Sequence, residues 1–369
     1  MGILDIKYDA FGLDINDFSL KIVKLKKGRK GFSLVSYNDV KIAPGVVESG
    51  VIKDENSLAK IIRYACATIK GKKLKTKNVV VSLPEEKSFS QVIQIPEMNE
   101  EELKTAVPLE AENYIPLPIA EVYLDFQVIP PIKQYSKHTE VQIVAMPKRI
   151  VDSYVSCIKK AGLTAVAMET ESEAIVRALV RGDNNPSVSL LIDFGGNNTN
   201  LVVYSGKSIR FSASILVSSE ILTKAISKAL KVDFYEAERL KLEYGLLGKK
   251  AGRSSTSSVN AEKVAQVIKP ILEEMVCQIK KYLNFYRDHS SFEYFLPDGK
   301  KERVLLCGGG AELKGFADFI SQKLEIPVEL GNPLLNFPTK NVRVKNIIKK
   351  DLMSFTTAIG LAQRKLYDE

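Results

Sequence analysis

Residues 188–200, Val188-Ser-Leu-Leu-Ile-Asp-Phe-Gly-Gly-Asn-Asn-Thr-Asn200, combine an apolar strand with an Asp at its end and a tight turn. Residues 12–21, Gly12-Leu-Asp-Ile-Asn-Asp-Phe-Ser-Leu-Lys21, have a similar order much earlier in the chain. In both places the sequence pattern predicts three strands joined by short turns, over residues 8–42 and 188–211. Two copies of one meander indicate an α/β fold made by internal duplication.

The two turns have the chemistry of a phosphate site. Backbone N–H groups of such a turn can point at phosphate oxygens, and an Asp before the turn can hold Mg²⁺ through water, because that ion dehydrates reluctantly. Turns of this composition also occur in ordinary hairpins, so each one alone is weak evidence. The predicted metal ligands are Asp14 and Asp193. The predicted nucleotide-binding residues are Asp14, Asn16, Asp17, Phe18, Ser19 and Lys21 in the first turn, and Asp193, Gly195, Gly196, Asn197, Asn198, Thr199 and Asn200 in the second.

A third element supports this prediction. Gly308-Gly309-Gly310-Ala311 follows the apolar strand 303–307 and precedes a predicted helix. Glycines at that place leave bare backbone, against which a base and a ribose can lie. Three such loops in this order, on a duplicated meander, predict a nucleotide-binding site.

A unit of different charge interrupts the first lobe. Residues 78–150 hold 6 basic and 11 acidic side chains, whereas residues 1–77 hold 16 basic and 8 acidic ones. Residues 78–147 also have the pattern of a strand–strand–helix–strand–strand unit, so we expect an inserted α/β subdomain. The predicted boundaries are 1–77 and 151–185 for the first lobe, 78–150 for the partner-binding insertion, 186–350 for the second lobe with the nucleotide-binding loops, and 351–369 for a C-terminal helix that packs back on the first lobe.

The composition excludes several chemistries. The 369 residues carry a formal net charge of +9 but include only two His and four Cys, which are widely separated, so a Ser-His-Asp triad or a zinc site has almost no residues to draw on. No apolar run reaches the roughly 18 residues of a membrane span, and we expect a cytoplasmic protein. Lysine clusters at 24–30 and 70–77 could contact nucleic acid or anionic lipid. Because no aromatic residues are interleaved with them, we expect solvated turns and no nucleic-acid binding.

The order of the three loops resembles the actin-like ATPase superfamily. Asp14 and Lys21 match that family's first-loop pattern D-x-G-S-x-x-x-K, and Ala237-Glu-Arg-Leu-Lys241 resembles its AE-x-x-K segment. The resemblance implies a duplicated, ribonuclease H-like fold with two lobes, binding of ATP with Mg²⁺, and contacts of Glu238 and Lys241 with ribose and adenine. Glu171 aligns with the catalytic acid that positions water in filament-forming relatives, or it is an ordinary surface residue at a helix start.

Some residues depart from the superfamily pattern. Asn16 replaces Gly, and Asp17 replaces Ser beside the expected phosphates. Asn197 and Asn198 replace Gly or Thr in the second loop. A further carboxylate near ATP is unfavourable unless Mg²⁺ or Lys21 offsets it. We therefore expect nucleotide binding, with ATPase activity that is weak or depends on a partner.

A longer run resembles one family within the superfamily. Residues 109–121, LEAENYIPLPIAE, and 122–129, VYLDFQVI, resemble the EAE-x-YIP-x-P and EV-x-x-DFQV run of the PilM family of type IV pilus assembly. The resemblance extends over about residues 10–366. It implies a cytoplasmic ATP-binding scaffold that takes the tail of a PilN-like single-span membrane protein into a groove between the insertion and the first lobe.

The same resemblance implies where the protein works. We expect it to be peripheral to the inner membrane through its PilN-like partner, without direct membrane insertion. Pilus motor ATPases and a second copy of the chain are further candidate partners.

Other functions share this fold and stay open. A cell-division protein like FtsA has an actin-like fold with an inserted subdomain, but that family attaches to membranes by a C-terminal amphipathic helix, whereas this chain ends at Arg364-Lys-Leu-Tyr-Asp-Glu369 after its last predicted helix. A sugar or acetate kinase needs a carboxylate that deprotonates a substrate hydroxyl, and no pattern here indicates its pocket. The sequence does not separate pilus assembly from type II secretion or DNA uptake.

Overall fold

The computed structural model describes residues 9–29, 31–129, 138–180, 189–205, 207–247, 255–289, 303–337 and 351–364. The chain forms two compact units: unit 1 comprises Met1–Asn184, Lys207–Arg210 and Asn332–Glu369, and unit 2 comprises Asn185–Gly206 and Phe211–Gly331. In the part of the chain that is described, no helix is both long and apolar enough to cross a membrane. Residues 365–369 of the predicted C-terminal segment lie outside the described residues.

The strands, in chain order, are β1 (Ala10–Ile15), β2 (Ser19–Gly28), β3 (Gly31–Lys41), β4 (Val47–Glu48), β5 (Val51–Ile52), β6 (Lys70–Gly71), β7 (Asn78–Leu83), β8 (Phe89–Pro96), β9 (Val122–Ile129), β10 (His138–Pro147), β11 (Thr164–Thr170), β12 (Ser189–Phe194), β13 (Thr199–Ser205), β14 (Ser208–Ile215), β15 (Arg303–Cys307) and β16 (Val328–Leu330). The α-helices are α1 (Glu55–Ala67), α2 (Glu100–Ala111), α3 (Lys148–Lys160), α4 (Glu171–Leu179), α5 (Ser219–Leu230), α6 (Phe234–Tyr244), α7 (Ser255–His289), α8 (Phe316–Leu324) and α9 (Thr356–Gln363).

The main sheet of unit 1 has the strand order β11-β7-β1-β2-β3-β6. Strands β1, β2 and β3 form the predicted antiparallel meander, while β7 runs parallel to β1 and β11 parallel to β7. Phe11 and Leu13 of β1 are fully buried in a core that includes Leu58 of α1 and Ile158 of α3. Residues 11–15 of β1 are all buried, so the strand has no alternation of exposed and buried side chains, and its one charged residue, Asp14, is buried with the apolar ones.

Helices α4 and α9 pack closely in unit 1. A Cβ atom built on Gly360 of α9 would lie 1.8 Å from the carbonyl oxygen of Ala174 in α4, so this approach requires glycine. Arg177 of α4 donates from Nη1 to the Gly360 carbonyl at 3.1 Å. The helix near the C-terminus is therefore part of unit 1.

Residues 332–337 are also part of unit 1, although the sequence predicts them in the second lobe. The backbone N–H of Phe32 donates to the Asn336 carbonyl at 3.1 Å, and the rings of Phe32 and Phe337 lie 6.3 Å apart. Contacts between residues so distant in the chain leave no local pattern from which the boundary could be predicted.

The first three residues of β14, Ser208–Arg210, differ from the predicted boundaries in the same way. Arg210 forms a buried ion pair with Glu140 of β10 at 2.5 Å. Ser208 donates from Oγ to Oε1 of Gln142 at 2.9 Å. These two contacts with β10 explain why the start of β14 belongs to unit 1.

The insertion in unit 1 has the strand order β8-β10-β9, and α2 packs on these strands. Helix α2 begins with a capping box, in which the Asn99 side chain accepts from the Glu102 N–H and the Glu102 side chain accepts from the Asn99 N–H. The predicted boundary at residue 78 differs from the structure, because β7 lies between β1 and β11 in the main sheet.

Unit 2 repeats the arrangement of the main sheet. Its strand order is β16-β15-β12-β13-β14, with β13 antiparallel to β12 and with β15 parallel to β12. Strands β12, β13, β14 and β15 therefore correspond to β1, β2, β3 and β7. The ring of Phe194 packs on that of Phe316 in α8, with 4.8 Å between centroids. The predicted α/β fold with a duplicated meander is confirmed.

Candidate functional site

The first predicted loop begins at a buried carboxylate in unit 1. Asp14 on β1 accepts a hydrogen bond from Ser82 Oγ of β7 at 3.0 Å. Burial raises the pKa of Asp14, and the ammonium group of Lys21 opposes that increase. Lys21 lies opposite Asp14 on β2 and donates from Nζ to Ser19 Oγ at 2.6 Å. The structure thus brings Asp14, Ser19 and Lys21 together where β1 ends.

The turn of this first loop is occupied by the Asn16 side chain. Asn16 Oδ1 accepts hydrogen bonds from the backbone N–H groups of Phe18, at 3.0 Å, and Ser19, at 2.9 Å. Such an Asx turn uses the donors that an anion-binding turn would offer to phosphate. A phosphate would have to displace the Asn16 amide from these two groups.

Asp17 has its partners in another part of unit 1. Its carboxylate accepts from the backbone N–H of Ser49 at 2.6 Å and of Gly50 at 3.0 Å. Ser49 and Gly50 have φ of +48° and +71°, a left-handed conformation in which successive N–H groups converge on an anion. Asp17 therefore holds the turn between β4 and β5, whereas the sequence predicts it beside the phosphates.

The second predicted loop, in unit 2, keeps backbone donors available. Gly195 N–H donates to the Asn198 carbonyl at 3.0 Å and closes the turn. The N–H groups of Gly196 and Asn197 donate to none of the described residues. Successive unused N–H groups in a turn are the arrangement that binds phosphate oxygens.

Asp193 lies against the third loop. A Cβ atom on Gly308 would be 2.2 Å from Asp193 Oδ1, and φ of Gly308 is +87°, so this position requires glycine. Gly310 N–H donates to the Phe194 carbonyl at 2.9 Å. Burial, and then the adjacent Asp193 carboxylate, raise the pKa of the Cys307 thiol well above its usual value. The second and third loops therefore form one site at the carboxyl ends of the parallel strands β12 and β15.

The predicted residues of unit 2 differ in accessibility. Gly196 and Gly309 are exposed, whereas Thr199, Asn200 and Ala311 are almost fully buried. The Thr199 hydroxyl donates to a backbone carbonyl of the same unit at 2.6 Å. The three buried residues support the loops, and the two exposed glycines leave their backbone accessible.

Helix α6 places Glu238 and Lys241 next to α5. Lys241 forms an ion pair with Glu238 at 2.7 Å and donates to Ser219 Oγ at 2.6 Å and Thr223 Oγ1 at 2.8 Å. Burial lowers the pKa of Lys241, and Glu238 opposes that decrease. Lys241 therefore ties α6 to α5. Of the two predicted ribose and adenine contacts, Glu238 has the more accessible side chain, with 37% exposed against 3%.

Glu171 is the first residue of α4 in unit 1 and is half-buried. Its charge is the second cause, after burial, of the strongly raised pKa of Tyr154. Tyr154 is itself buried and donates to the Gly50 carbonyl at 3.1 Å. Among the residues that the structure describes, no group of three or more His, Cys, Asp or Glu could hold a metal ion.

The family resemblance implies a partner groove without naming its residues, and the structure has a cavity at the corresponding place in unit 1. We call it the inserted-sheet cavity. It has a volume of about 300 Å³ and lies between β9 and β10 of the insertion and β11 and α4 of the main part. Residues 109–129, which carry the family resemblance, end on the wall of this cavity. This run of residues was the sequence signal for the position of the groove.

Two glutamates in the inserted-sheet cavity differ in their partners. Glu169 accepts from Arg177 Nη2 at 2.9 Å and also pairs with Arg364. Glu173 accepts from the Gln142 amide at 3.0 Å and from no other described residue. Burial raises the pKa of Glu173, and the charge of Glu169 raises it further. Glu173 can therefore accept a hydrogen bond from a donor that enters the cavity.

The sequence matches the family described as Type IV pilus assembly protein PilM over residues 12–366. Among solved structures, a chain of a PilM–PilN type IV pilus biogenesis complex is similar to this one, with 26% sequence identity and a TM-score of 0.81. That likeness covers 98% of this chain and 99% of the other. It therefore includes both units and the insertion.

More distant matches also have an actin-like fold. MreB5 of Spiroplasma citri bound to ADP is 16% identical, with a TM-score of 0.52 over 92% of this chain and 95% of that one, which shows the fold alone. The cell division protein FtsA of Pseudomonas aeruginosa is 24% identical over 206 residues, which are 53% of this chain and 48% of that protein. The chain spans about half the length of the FtsA relatives that it matches.

Proposed function

The chain belongs to the type IV pilus assembly protein PilM family, and we propose that it is a nucleotide-binding scaffold that holds the tail of a PilN-like membrane protein in the inserted-sheet cavity. The match over residues 12–366 is the observation that carries the pilus function. It includes the insertion and all three predicted loops. The FtsA relatives, in contrast, match about half of the chain.

A PilN-like tail fits the chemistry of the inserted-sheet cavity. Phe126, Val144 and Met146 give the cavity an apolar wall along β9 and β10. Glu173, which is half-buried, supplies an acceptor whose hydrogen bond to a tail donor would be partly shielded from water. Through this partner the protein would be peripheral to the inner membrane on its cytoplasmic side.

Titration of the full chain with a synthetic peptide tests this proposal. The peptide is the cytoplasmic tail of the PilN-like protein from the same genome. We expect saturable one-to-one binding by calorimetry. A peptide that gives neither heat nor a change in fluorescence anisotropy at high protein concentration would contradict the proposal.

We further propose that the phosphates of ATP bind at the second loop. The unused N–H groups of Gly196 and Asn197 support this assignment, and Gly308 leaves backbone next to Asp193. The donor set suits Mg²⁺, which prefers carboxylate oxygens and retains water. Asp193 would hold the ion through water, and Mg²⁺ would neutralise phosphate charge when bound. Hydrolysis would be weak or depend on the partner.

Asp193→Ala is expected to weaken binding of ATP with Mg²⁺ by at least about tenfold, a loss of about 1.4 kcal/mol. The substitution removes the carboxylate that would hold the hydrated ion beside the phosphates. Calorimetry with and without EDTA measures the effect, and chelation should weaken the wild type more than the variant.

Two other aspartates serve as controls for the nucleotide site. Asp288→Ala alters an exposed residue near the end of α7 and should bind ATP as the wild type does. Asp17→Ser should also leave ATP affinity unchanged, because the Asp17 carboxylate is used by Ser49 and Gly50. Undiminished binding by Asp193→Ala would remove the second loop from the site.

Glu173→Gln is expected to gain stability relative to the wild type as pH rises. Burial raises the pKa of Glu173 above its ordinary value of 4.5, so the folded protein binds this proton more tightly than the unfolded chain does. The resulting stability is fully present below that ordinary value and is lost as pH rises through the folded-state pKa. Glutamine keeps an acceptor for Gln142 but does not titrate. Urea unfolding of both proteins from about pH 4 to about pH 8 measures the difference.

Glu48→Gln is the control for this pH dependence. Glu48 is exposed on β4 and does not line the inserted-sheet cavity, so its variant removes one carboxylate without changing the surroundings of Glu173. A difference between Glu173→Gln and the wild type that stays constant across the range would contradict the prediction.

A further inference from the structure

Unit 1 has a second concave site, which we call the basic cleft. It has a volume of about 570 Å³ and lies where β1 begins, whereas the first predicted loop lies where β1 ends. It shares Arg364 with the wall of the inserted-sheet cavity. Its cationic lining is otherwise made of lysines from β2 and from the segment before β7: Lys24, Lys26, Lys27, Lys72, Lys73 and Lys75.

Most of the positive charge in the basic cleft is available to a ligand. Lys24 is buried and already forms an ion pair with Asp9, the acidic residue of the same lining. The exposed lysines that pair with no acidic group among the described residues are Lys26, Lys72, Lys73 and Lys75. Like charges around a concave surface reinforce one another, because the low-dielectric walls focus their field. The cleft therefore favours an anionic ligand.

The cleft also contains an unused hydrogen-bond donor. Gln363 lines the cleft and is 3% exposed. Its Oε1 accepts from Asn336 at 3.3 Å, whereas its Nε2 has no hydrogen-bond partner among the described residues. A buried amide group without a partner destabilises the protein, and a ligand carrying an acceptor would remove that penalty. Phe32 and Leu74 add apolar surface to the same lining.

The shape of the cleft argues against membrane or nucleic acid as the ligand. A flat lipid surface would contact the exposed lysines of this concave site but would not reach the Gln363 amide, which is 3% exposed. Single-stranded nucleic acid usually binds to exposed aromatic platforms. The aromatic residue of the cleft is Phe32, whose ring packs on Phe337. A protein segment with carboxylates is the ligand that fits.

The chain itself carries such a segment. Helix α2 of the insertion begins within the segment Glu97-Met-Asn-Glu-Glu-Glu102. The four glutamates of this segment are exposed. Glu102 belongs to the capping box, and Glu101 pairs with Lys104 at 2.7 Å on the surface. Glu97 and Glu100 pair with no cation among the described residues. Met98, half-exposed between them, adds an apolar group that matches the apolar part of the cleft.

We propose that the basic cleft of one copy of the chain binds the acidic start of α2, residues 97–102, of a second copy. The contact joins two different surfaces, so each copy that is added leaves one free cleft and one free acidic segment. Such a heterologous contact builds an open chain of copies unless its rotation closes a ring. The attraction acts between exposed charges, and it weakens as salt shortens the Debye length from about 30 Å at 0.01 M to about 8 Å at 0.15 M.

Sedimentation velocity of the full chain tests this proposal. The wild type should form larger species as its concentration rises at low salt, and these should dissociate at about 1 M salt. The cleft variant, Lys72→Glu/Lys73→Glu/Lys75→Glu, should need at least about tenfold more protein for half-assembly. The acidic variant, Glu97→Lys/Glu100→Lys/Glu101→Lys, should show the same weakening. In each variant the cleft and the segment that should bind it carry charges of the same sign and repel each other. An equimolar mixture of the two variants should assemble again, since each carries the complement of the other.

Controls separate this contact from general charge effects and from other ligands. Lys53→Glu/Lys60→Glu/Lys159→Glu changes the net charge equally at exposed residues outside the cleft and should assemble as the wild type does. A monomeric wild type at every salt concentration, or a mixture of variants that stays monomeric, would overturn the proposal. Binding of phosphatidylglycerol vesicles to the wild type but not to the cleft variant would also overturn the proposal. The cleft variant should still bind the tail peptide, so failure here leaves the proposed pilus function untouched.

Discussion

Val144→Arg is expected to weaken binding of the PilN-like tail peptide by about a hundredfold, which corresponds to about 2.7 kcal/mol. Val144 lies on β10 and lines the inserted-sheet cavity, whose volume is about 300 Å³. An arginine side chain there would occupy the space that the tail needs. Its guanidinium would also compete for Glu173, the acceptor that we assign to the tail, so one substitution removes both the space and the acceptor.

Val128→Arg is a matched control for the cavity. Val128 lies on the neighbouring strand β9, is 40% exposed and does not line the cavity. The variant should bind the peptide as the wild type does. Urea unfolding of both variants shows whether they are folded to the same extent. Equal affinity of Val144→Arg and the wild type would place the tail elsewhere on the protein.

Point substitution is a sharper test than removal of residues 78–150. That deletion would take out β7, which lies between β1 and β11 in the main sheet. The backbone hydrogen bonds of both neighbours would be lost, and Ser82, the partner of Asp14, would be lost with them. Loss of peptide binding in such a protein would report unfolding of unit 1 as much as loss of the cavity.

Gly360→Ala is expected to destabilise unit 1 by about 3 kcal/mol, at the upper end of the usual cost of overpacking a core. The added Cβ would lie 1.8 Å from the Ala174 carbonyl oxygen, so helices α4 and α9 would have to separate. Separation would also stretch the hydrogen bond from Arg177 to the Gly360 carbonyl. Urea unfolding followed by circular dichroism measures the loss.

Gly28→Ala is the matched control for this close approach. Gly28 ends β2, and a Cβ on it would lie 3.6 Å from the Gly31 carbonyl, an ordinary contact distance. This variant should remain within about 1 kcal/mol of the wild type. If Gly360→Ala were as stable as Gly28→Ala, α4 and α9 would pack less closely than the structure has them.

The sequence was most informative where structure is local. The duplicated meander, the loop after β12 and the glycines after β15 could all be predicted, because strand alternation and turn composition act over a few residues. Helices α5 and α6 begin directly after their N-cap residues, Ser218 and Asp233, whose side chains accept hydrogen bonds from the first turn of each helix.

The candidate site was predictable only in part, because turn residues can be used in more than one way. The sequence pattern and the family resemblance predict that Asn16, Asp17 and Lys241 contact the nucleotide. In the structure Asn16 fills its own turn, Asp17 holds the backbone of Ser49 and Gly50, and Lys241 ties α6 to α5. The pattern of residue types identifies the loop, but the partner of each side chain depends on which groups the fold brings near it.

The α/β class, the duplication and the inserted subdomain could be predicted from strand and helix periodicity, and the family from long residue runs such as 109–129, because both are visible in the order of the residues. Which strand belongs to which sheet, and which charges are buried, depend on tertiary contacts. Strand β7 belongs to the main sheet because it pairs with β1 and β11, and Glu173 is half-buried in the cavity that residues of β10 and α4 line. Burial and pairing come from residues far apart in the chain, whose contacts have no period that a linear sequence can display.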